Sequence, residues 1–430
     1  MTARLLLAVC LFLPLSVPPA AADSGPAGSL KAGGLVLGDL RLNTDWADPD
    51  YTLRELRLDL FADAAPGDDF RLYFQGWLRS LGFPEAPQEP EELSFELKEA
   101  YADLYGFPLP AVDVRLGRQR IAWGRADKIS IVDNLNPDDL EDPWDFGRHL
   151  ASDALKLSWY GDRLTVQGVV IPIFTPARLE TGDLLADGLP PDSTLSFTPL
   201  PGAAPDGATL GVRASFLLGN WDVACAYIRG RDDIFTVTNT VATGLPPAPL
   251  ELTADYLRQQ VVSVEISGML GDLGLWAETA LFVCEERELV TDLTAAFGPL
   301  TTETTRPYWK ALAGLDFTFP HGIYLNVQVV RGLFSENSRE SLGNYLLIGL
   351  EWPLPGGRVR LGPLGLALEI DDLENPEETW ALIVNPELSI MPREGVSFIF
   401  GLRSVSGTEE TRFGRLKQRG ELYARGEFSF

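Results

Sequence analysis

Polar and apolar residues alternate with period two along most of the chain, in segments of about 9–14 residues bounded by Gly, Pro, Asp and Asn. Convincing 3.6-residue periodicity is almost absent. Phe70, Leu72, Phe74, Gly76 and Leu78 alternate with Arg71, Tyr73, Gln75, Trp77 and Arg79. Leu155, Leu157 and Trp159 alternate with Lys156, Ser158 and Tyr160, and comparable runs recur around 309–319 and 382–390. Successive side chains of a strand point to opposite faces, so each segment reads as a strand with one greasy and one wetter side. The pattern predicts 18 strands, over 35–43, 51–62, 68–79, 93–105, 111–123, 153–160, 163–172, 207–218, 220–230, 256–270, 272–284, 306–319, 322–333, 343–353, 357–370, 377–391, 395–405 and 418–430. Sixteen is the alternative, because the first pair is weakly patterned.

A soluble antiparallel sheet alternates too, and the connections separate the two cases. Those after every second strand are short: Asp63 to Gly67, Gly106 to Pro110, Gly161-Asp162, Gly219-Asn220, Gly271-Asp272, Pro320 to Gly322, Leu354 to Gly356 and Pro392 to Glu394. The others are mostly longer, about 81–92, 124–152, 173–206, 231–255, 285–305 and 406–417. Tight turns at one end and long loops at the other are the pattern of an all-β transmembrane antiparallel barrel in an outer membrane. An even strand number brings both chain ends to the turn side and makes the first and last strands neighbours, which removes the open edges. The last strand alternates Leu422, Ala424, Gly426, Phe428 and Phe430 with Glu421, Tyr423, Arg425, Glu427 and Ser429. A terminal Phe on such a strand looks like the signal read by the outer-membrane assembly machinery, so Phe430 is its expected contact. Trp159, Tyr227, Trp352 and Trp380 lie near strand ends, where an aromatic girdle would meet the headgroups.

The ends and composition agree with export. Met1 to Arg4 give a short basic start, Leu5 to Val17 an apolar run, and Pro18 to Ala22 a small-residue cleavage region. Residues 1–22 therefore read as a signal peptide and 23–430 as the barrel. No later run approaches the roughly 20 apolar residues of a membrane helix. Beyond the leader only Cys225 and Cys284 remain, too few for a disulfide framework, and both read as wall residues. The net charge of −26 excludes nucleic acid as a partner.

Catalytic constellations are scarce. His321 falls in a short turn. His149 lies in a long loop beside Ser152, a pair that would need a hydrogen bond between base and nucleophile to work. No HExxH, CxxC, P-loop or dinucleotide fingerprint occurs. Asp133 to Asp139 offers oxygen atoms to a hard cation but lacks the Gly and spaced Glu of an EF-hand loop. The chain reads as a non-enzyme without cofactor or metal.

The informative stretch is Gly117 to Arg148, running from the fifth strand through the third exterior loop. Ile129, Ile131, Val132, Leu135, Leu140, Trp144 and Phe146 are too many apolar residues for a loop lying in water. The loop is expected to fold toward the lumen and narrow the mouth. Residues 124–148 carry seven acids (Asp127, Asp133, Asp138, Asp139, Glu141, Asp142, Asp145) against three bases (Arg125, Lys128, Arg148). Net negative charge at a constriction favours cations; the same charges can instead pair with one another and hold the loop in shape. The lumen wall is expected to present Glu99, Tyr101 and Asp103, then Asp113 and Arg115, and Arg118 and Arg120 if a bulge at Gly117 shifts the phase. Arg71, Gln75, Lys156, Arg213, Glu265, Asp316, Gln328, Glu387 and Arg425 are further inward candidates.

GRQRIAWG, after a strand ending in EAYADLY, resembles porin-like outer-membrane barrels of poorly characterised function, and is distantly similar to the alginate-export barrels. The resemblance covers roughly residues 93–172. It implies an 18-stranded barrel that moves a solute or polymer, with Arg118, Gln119, Arg120, Trp123 and Arg125 at the mouth or wall. The acidic loop departs from what a channel for an acidic polysaccharide calls for.

The expected function is a channel for diffusion or facilitated transport of small polar solutes, embedded in outer-membrane lipid, alone or as a homo-oligomer. The competing reading is a structural sheath or export conduit around a periplasmic partner, such as an electron-transfer cytochrome or a polymer.

Overall fold

The computed structural model describes residues 28–44, 50–82, 93–126, 129–145, 147–179, 189–200, 202 and 207–430. The leader expected at 1–22 lies outside them, as do Asp127, Lys128 and Phe146. Eighteen strands form one closed antiparallel sheet. They are β1 (Ser29–Asn43), β2 (Tyr51–Gly67), β3 (Phe70–Gly82), β4 (Leu93–Leu104), β5 (Val112–Gln119), β6 (Ser152–Tyr160), β7 (Leu164–Ile171), β8 (Thr209–Leu218) and β9 (Trp221–Arg231). The ring continues with β10 (Arg258–Leu270), β11 (Leu273–Cys284), β12 (Tyr308–Thr318), β13 (Tyr324–Arg331), β14 (Asn344–Pro353), β15 (Val359–Ile370), β16 (Trp380–Arg393), β17 (Val396–Gly407) and β18 (Glu421–Ser429). Each strand pairs with its sequence neighbours, and β1 closes on β18 from Leu35↔Ser429 to Asn43↔Glu421. Phe430 completes the seam by exchanging two backbone hydrogen bonds with Gly34, each 3.0 Å.

The alternation sorts cleanly by face. On β10, Val262, Val264 and Ile266 are exposed, while Val261, Ser263 and Glu265 are buried. On β13, Val329 is exposed between buried Gln328 and Val330. Leu210 and Val212 of β8, Leu281 of β11 and Trp309 of β12 continue the exposed apolar set. Buried charge sits on the other parity, at Arg41, Arg79, Asp103, Glu265, Glu278, Lys310 and Glu369. A closed ring that turns grease outward and charge inward is a membrane-spanning barrel, because lipid solvates only the first and water only the second. Trp159 and Trp352 are exposed at the turn ends of β6 and β14. Cys225 and Cys284 are free thiols. No helix among the described residues is long and apolar enough to cross a membrane.

Two departures from the sequence pattern matter. The fifth strand, expected to reach residue 123, stops at Gln119. From Arg120 onward the backbone bonds to side chains instead of a neighbouring strand: Arg120 N–H donates to Glu99 at 2.8 Å and Ile121 N–H to Asn136 at 2.6 Å. The long connections after β7, β9 and β11 are not irregular. They contribute five short strands (Thr194–Phe197, Thr236–Ala242, Leu250–Asp255, Glu288–Asp292 and Leu300–Thr304) to a small separate sheet on the loop side. Thr236–Ala242 with Leu250–Asp255 and Glu288–Asp292 with Leu300–Thr304 are hairpins within their own loops. Parallel pairings between loops, Thr194–Phe197 with Leu250–Asp255 and Thr236–Ala242 with Glu288–Asp292, join them into one sheet.

Placing charge on the lipid face tests this assignment. Val264→Arg, at the middle of β10, is expected to destabilise the barrel by about 2–4 kcal/mol, measured by urea unfolding in lipid vesicles. Val264→Leu is expected to change it little.

Candidate functional site

The inner wall is built of two unlike arcs. On β2 to β5, inward side chains form an ionic and aromatic ladder. Trp77 lies between the Arg57 guanidinium at 4.1 Å and Lys98 Nζ at 3.9 Å. Tyr101 stacks on Tyr73 with centroids 5.1 Å apart and carries Arg115 at 3.9 Å on its ring. Asp103 accepts from Arg115 Nε at 2.6 Å, and Asp63 from Arg71 Nε at 2.8 Å. On the other arc, the loop-side halves of the inward faces are apolar: Val169, Ala226, Ile228, Val261, Ala280, Phe282, Leu312, Val330 and Ile383 share one buried cluster. Ile121, Trp123, Ile129, Ile131, Val132 and Leu135 of the third loop belong to that same cluster, as do Leu333 and Leu342 of the seventh and Phe413 and Leu416 of the ninth.

Polar anchors hold the third loop on both sides of the ring. On β11, the Glu278 carboxylate is 2% exposed and accepts four hydrogen bonds from the loop. The donors are Arg125 N–H at 2.6 Å, Ala126 N–H at 2.9 Å, Ser130 Oγ at 2.8 Å and Ile131 N–H at 3.0 Å. Successive N–H groups converging on one carboxylate make a compact anion cradle, which satisfies a charge that burial would otherwise penalise. Trp123 Nε1 donates to Gln167 of β7 at 3.0 Å. Across the ring, Arg41 of β1 makes a bidentate pair with Asp142, at 3.0 and 2.6 Å. Arg79 of β3 does the same with Glu141, at 2.8 and 2.7 Å. Burial alone would raise the Asp142 carboxyl; the charge and hydrogen bonds of Arg41 overcome it and hold the group down at about 2. A carboxyl lowered in the anchored state stabilises it above the ordinary range near 4 and loses that effect only as pH falls toward 2, so this anchor does not titrate between pH 4 and 8.

The residues singled out by sequence fall as follows. Glu99 and Asp103 are on the inward face of β4, and Arg115 faces Asp103 from β5. Arg120 pairs with Asp133 at 2.5 Å and reaches Asn136. Arg125 pairs with Asp222 of β9. Asp139, 1% exposed, is held by Arg148 at 2.6 Å. Asp138 lies 3.1 Å from His149 Nδ1. Asp127 and Lys128 are outside the described residues. Arg118 departs from the expected phase. Gly117 does take a positive φ of 126°, but the register across it does not shift. Arg118 stays opposite Ala100 and Asp153, on the face of exposed Leu116, and the inward position goes to fully buried Gln119. The His149 and Ser152 pair is not assembled, since Ser152 Oγ accepts from Asn136 Nδ2 at 3.1 Å and His149 faces Asp138. Among the described residues no group of His, Cys, Asp and Glu is arranged to hold a metal.

Arg41, Arg79, Glu278 and Arg178, whose guanidinium bonds Glu96 at 2.9 Å, were not singled out by sequence. Each is an ordinary inward or loop charge until its partner is known. One signal was available. The loop-side halves of β10, β11 and β13 read VVSV, TALFVC and VQVV, with apolar residues on both parities and only Ser263 and Gln328 polar on the inner one among VVSV and VQVV, close to the pattern of strands covered on both faces.

No family model matches this chain, and no curated protein does. Among solved structures, a BenF-like porin from Pseudomonas fluorescens Pf-5 aligns over 94% of this chain and 98% of its own, at 10% identity and a TM-score of 0.51. Pseudomonas aeruginosa OccK2 (OpdF) aligns over 94% and 97%, at 13% identity and a TM-score of 0.50. At these identities the likeness is one of fold: this chain is a porin-like barrel, and with its apolar outer belt it belongs in the outer membrane.

Glu278→Ala removes the acceptor of four loop hydrogen bonds and is expected to loosen residues 125–131 by on the order of 3 kcal/mol, read as faster hydrogen exchange there while the heat resistance of the barrel is retained. Unchanged exchange would show that the apolar cluster alone fixes the loop.

Proposed function

We propose that this barrel is a channel for small polar solutes, with the third loop crossing the bore and setting its width. The observation that carries this reading is the pair of anchors: one end of the loop is tied to Glu278 on β11 and the other to Arg41 and Arg79 on β1 and β3, strands on opposite sides of an 18-stranded ring. Rings of this size enclose more space than side chains alone fill, so an aqueous path remains unless loops close it. The apolar cluster that takes in the loop extends from β6 round to β17. The remaining path runs along the ionic and aromatic ladder of β2 to β5.

That ladder carries both signs, and it holds ion pairs such as Arg57–Glu55, Arg71–Asp63 and Arg115–Asp103. The loop acids are matched as well: Asp133 with Arg120, Asp139 with Arg148, Glu141 with Arg79 and Asp142 with Arg41. Pairing of this kind supports the shape-holding role of the loop charges and argues against strong cation selection. A wall of closely spaced opposite charges suits solutes that exchange several hydrogen bonds along the way, without one dominant charge. A sheath around a folded partner needs an unobstructed bore, which a crossing loop denies. We further propose that Phe430 is the contact for the assembly machinery.

Purified mature protein in a planar bilayer is expected to conduct ions, and deletion of residues 126–146 to raise the conductance. Absence of conductance in both forms overturns the channel reading. Arg115→Gln with Lys156→Gln is expected to shift the reversal potential in a salt gradient toward cation preference.

A further inference from the structure

The third loop meets the fifth (residues 232–257) and the seventh (residues 332–343) around an enclosed cavity of about 20 Å³, room for a single water. Its polar lining includes Asp133, Asp138, Asp232, Asp233, Lys310 and Asn337. Asp138 and Asp232 are buried, at 8% and 7% exposure. The two loops touch directly, since Asp233 Oδ2 accepts the Asp138 N–H at 2.6 Å. We propose that this junction is a proton-dependent clasp: a proton shared among Asp138, Asp232 and Asp233 holds the third loop against the fifth, and its loss at neutral pH loosens the loop and widens the path. The proposal rests on the channel reading above.

The balance of charge around the cavity is what makes the clasp sensitive. From the third loop, Asp133 is already paired with Arg120, and His149 lies 3.1 Å from Asp138. From the fifth come Asp232 and Asp233. From β12, the buried Lys310 ammonium donates to the Leu333 and Phe334 carbonyls, at 2.5 and 3.3 Å. Tyr308 and Cys284 add no charge at neutral pH. Glu336 of the seventh loop and Arg412 of the ninth pair with each other at 2.9 Å. Three carboxylates, those of buried Asp138 and Asp232 and of half-buried Asp233, thus share one ammonium and one imidazole. Like charges held close in a dry site do not all ionise; they titrate as a group.

The directions agree. Burial first, then the neighbouring Asp233 charge, pushes Asp232 up to about 7 and Asp138 well above the usual carboxylate range. Burial raises Asp233 too, against the Asp138 N–H that steadies its charge. Burial lowers His149, which withdraws positive charge from the junction near neutrality. A carboxyl raised in the clasped state favours that state fully below its ordinary range near 4, and the advantage is lost as pH rises toward 7. The Arg41–Asp142 anchor is constant through that window, so only one side of the loop responds.

The test uses the full chain at fixed ionic strength between pH 4.5 and 8, with two readouts: hydrogen exchange of residues 129–140, corrected for the intrinsic rate, and single-channel conductance. The wild-type protein is expected to lose protection in that segment and to gain at least about twofold in conductance from pH 5 to 7.5. Asp232→Asn and Asp138→Asn, each a neutral isostere, should keep the acid-state protection and conductance at every pH, with heat-modifiable gel mobility showing that each variant is a folded barrel. Flat exchange in the wild type overturns the clasp, and so does an unchanged pH profile in the two variants. Exchange that follows pH in a protein without conductance keeps the clasp and removes the channel reading. Conductance with flat exchange does the reverse.

Discussion

Everything in this molecule follows from a single demand of the hydrocarbon layer, that no backbone N–H or C=O may face it unpaired. A sheet meets the demand only by closing. Here closure is made by β1 on β18, nine residue pairs in register with Phe430 bonded back to Gly34. The even strand count follows from it, since both termini must return to the same rim. So does the outward belt of Leu, Val and Ile. The fold likeness to porins at 10–13% identity is what such a demand produces: the constraint acts on hydrogen bonding and on alternation, and it leaves the sequence free.

Closure creates a second problem inside. Charges lining a narrow bore are partly stripped of water and need partners. The inner wall meets this with pairs between adjacent strands, as at Asp63–Arg71–Asp103–Arg115, and with pairs from wall to loop, as at Arg41–Asp142 and Arg79–Glu141. The same partners that satisfy the charges fix the third loop. Two acids of residues 124–148, Glu141 and Asp142, meet arginines of the wall, and two more, Asp133 and Asp139, meet Arg120 and Arg148 of the loop itself.

The two arcs of the wall divide the work. One is apolar on its inner, loop-side face and packs against Trp123, Ile131 and Val132. The other is ionic and aromatic and stays uncovered by that cluster. The asymmetry gives the proposed path its off-centre course. The carboxylates of Asp138, Asp232 and Asp233 line the small cavity where the third, fifth and seventh loops meet.

The sequence by itself determined the architecture. Period-two alternation, short turns alternating with long loops, and a terminal strand ending in Phe430 gave 18 strands within a few residues of their bounds, because each is a local property that lipid and water enforce strand by strand. It also marked the third loop as too apolar to lie in water. Only the tertiary structure decided which charge meets which. Glu278 and its donors Arg125 and Ile131 are 153 and 147 residues apart, and Arg41 and Asp142 are 101 apart, so no spacing rule connects them. The face of Arg118 was decided in the same way. Gly117 adopts the bulge-like φ that the sequence suggested, yet pairing with β4 and β6 held the register, and Gln119 took the inward place. Local periodicity fixes which residues share a face; the partner across the bore exists only once the ring has closed.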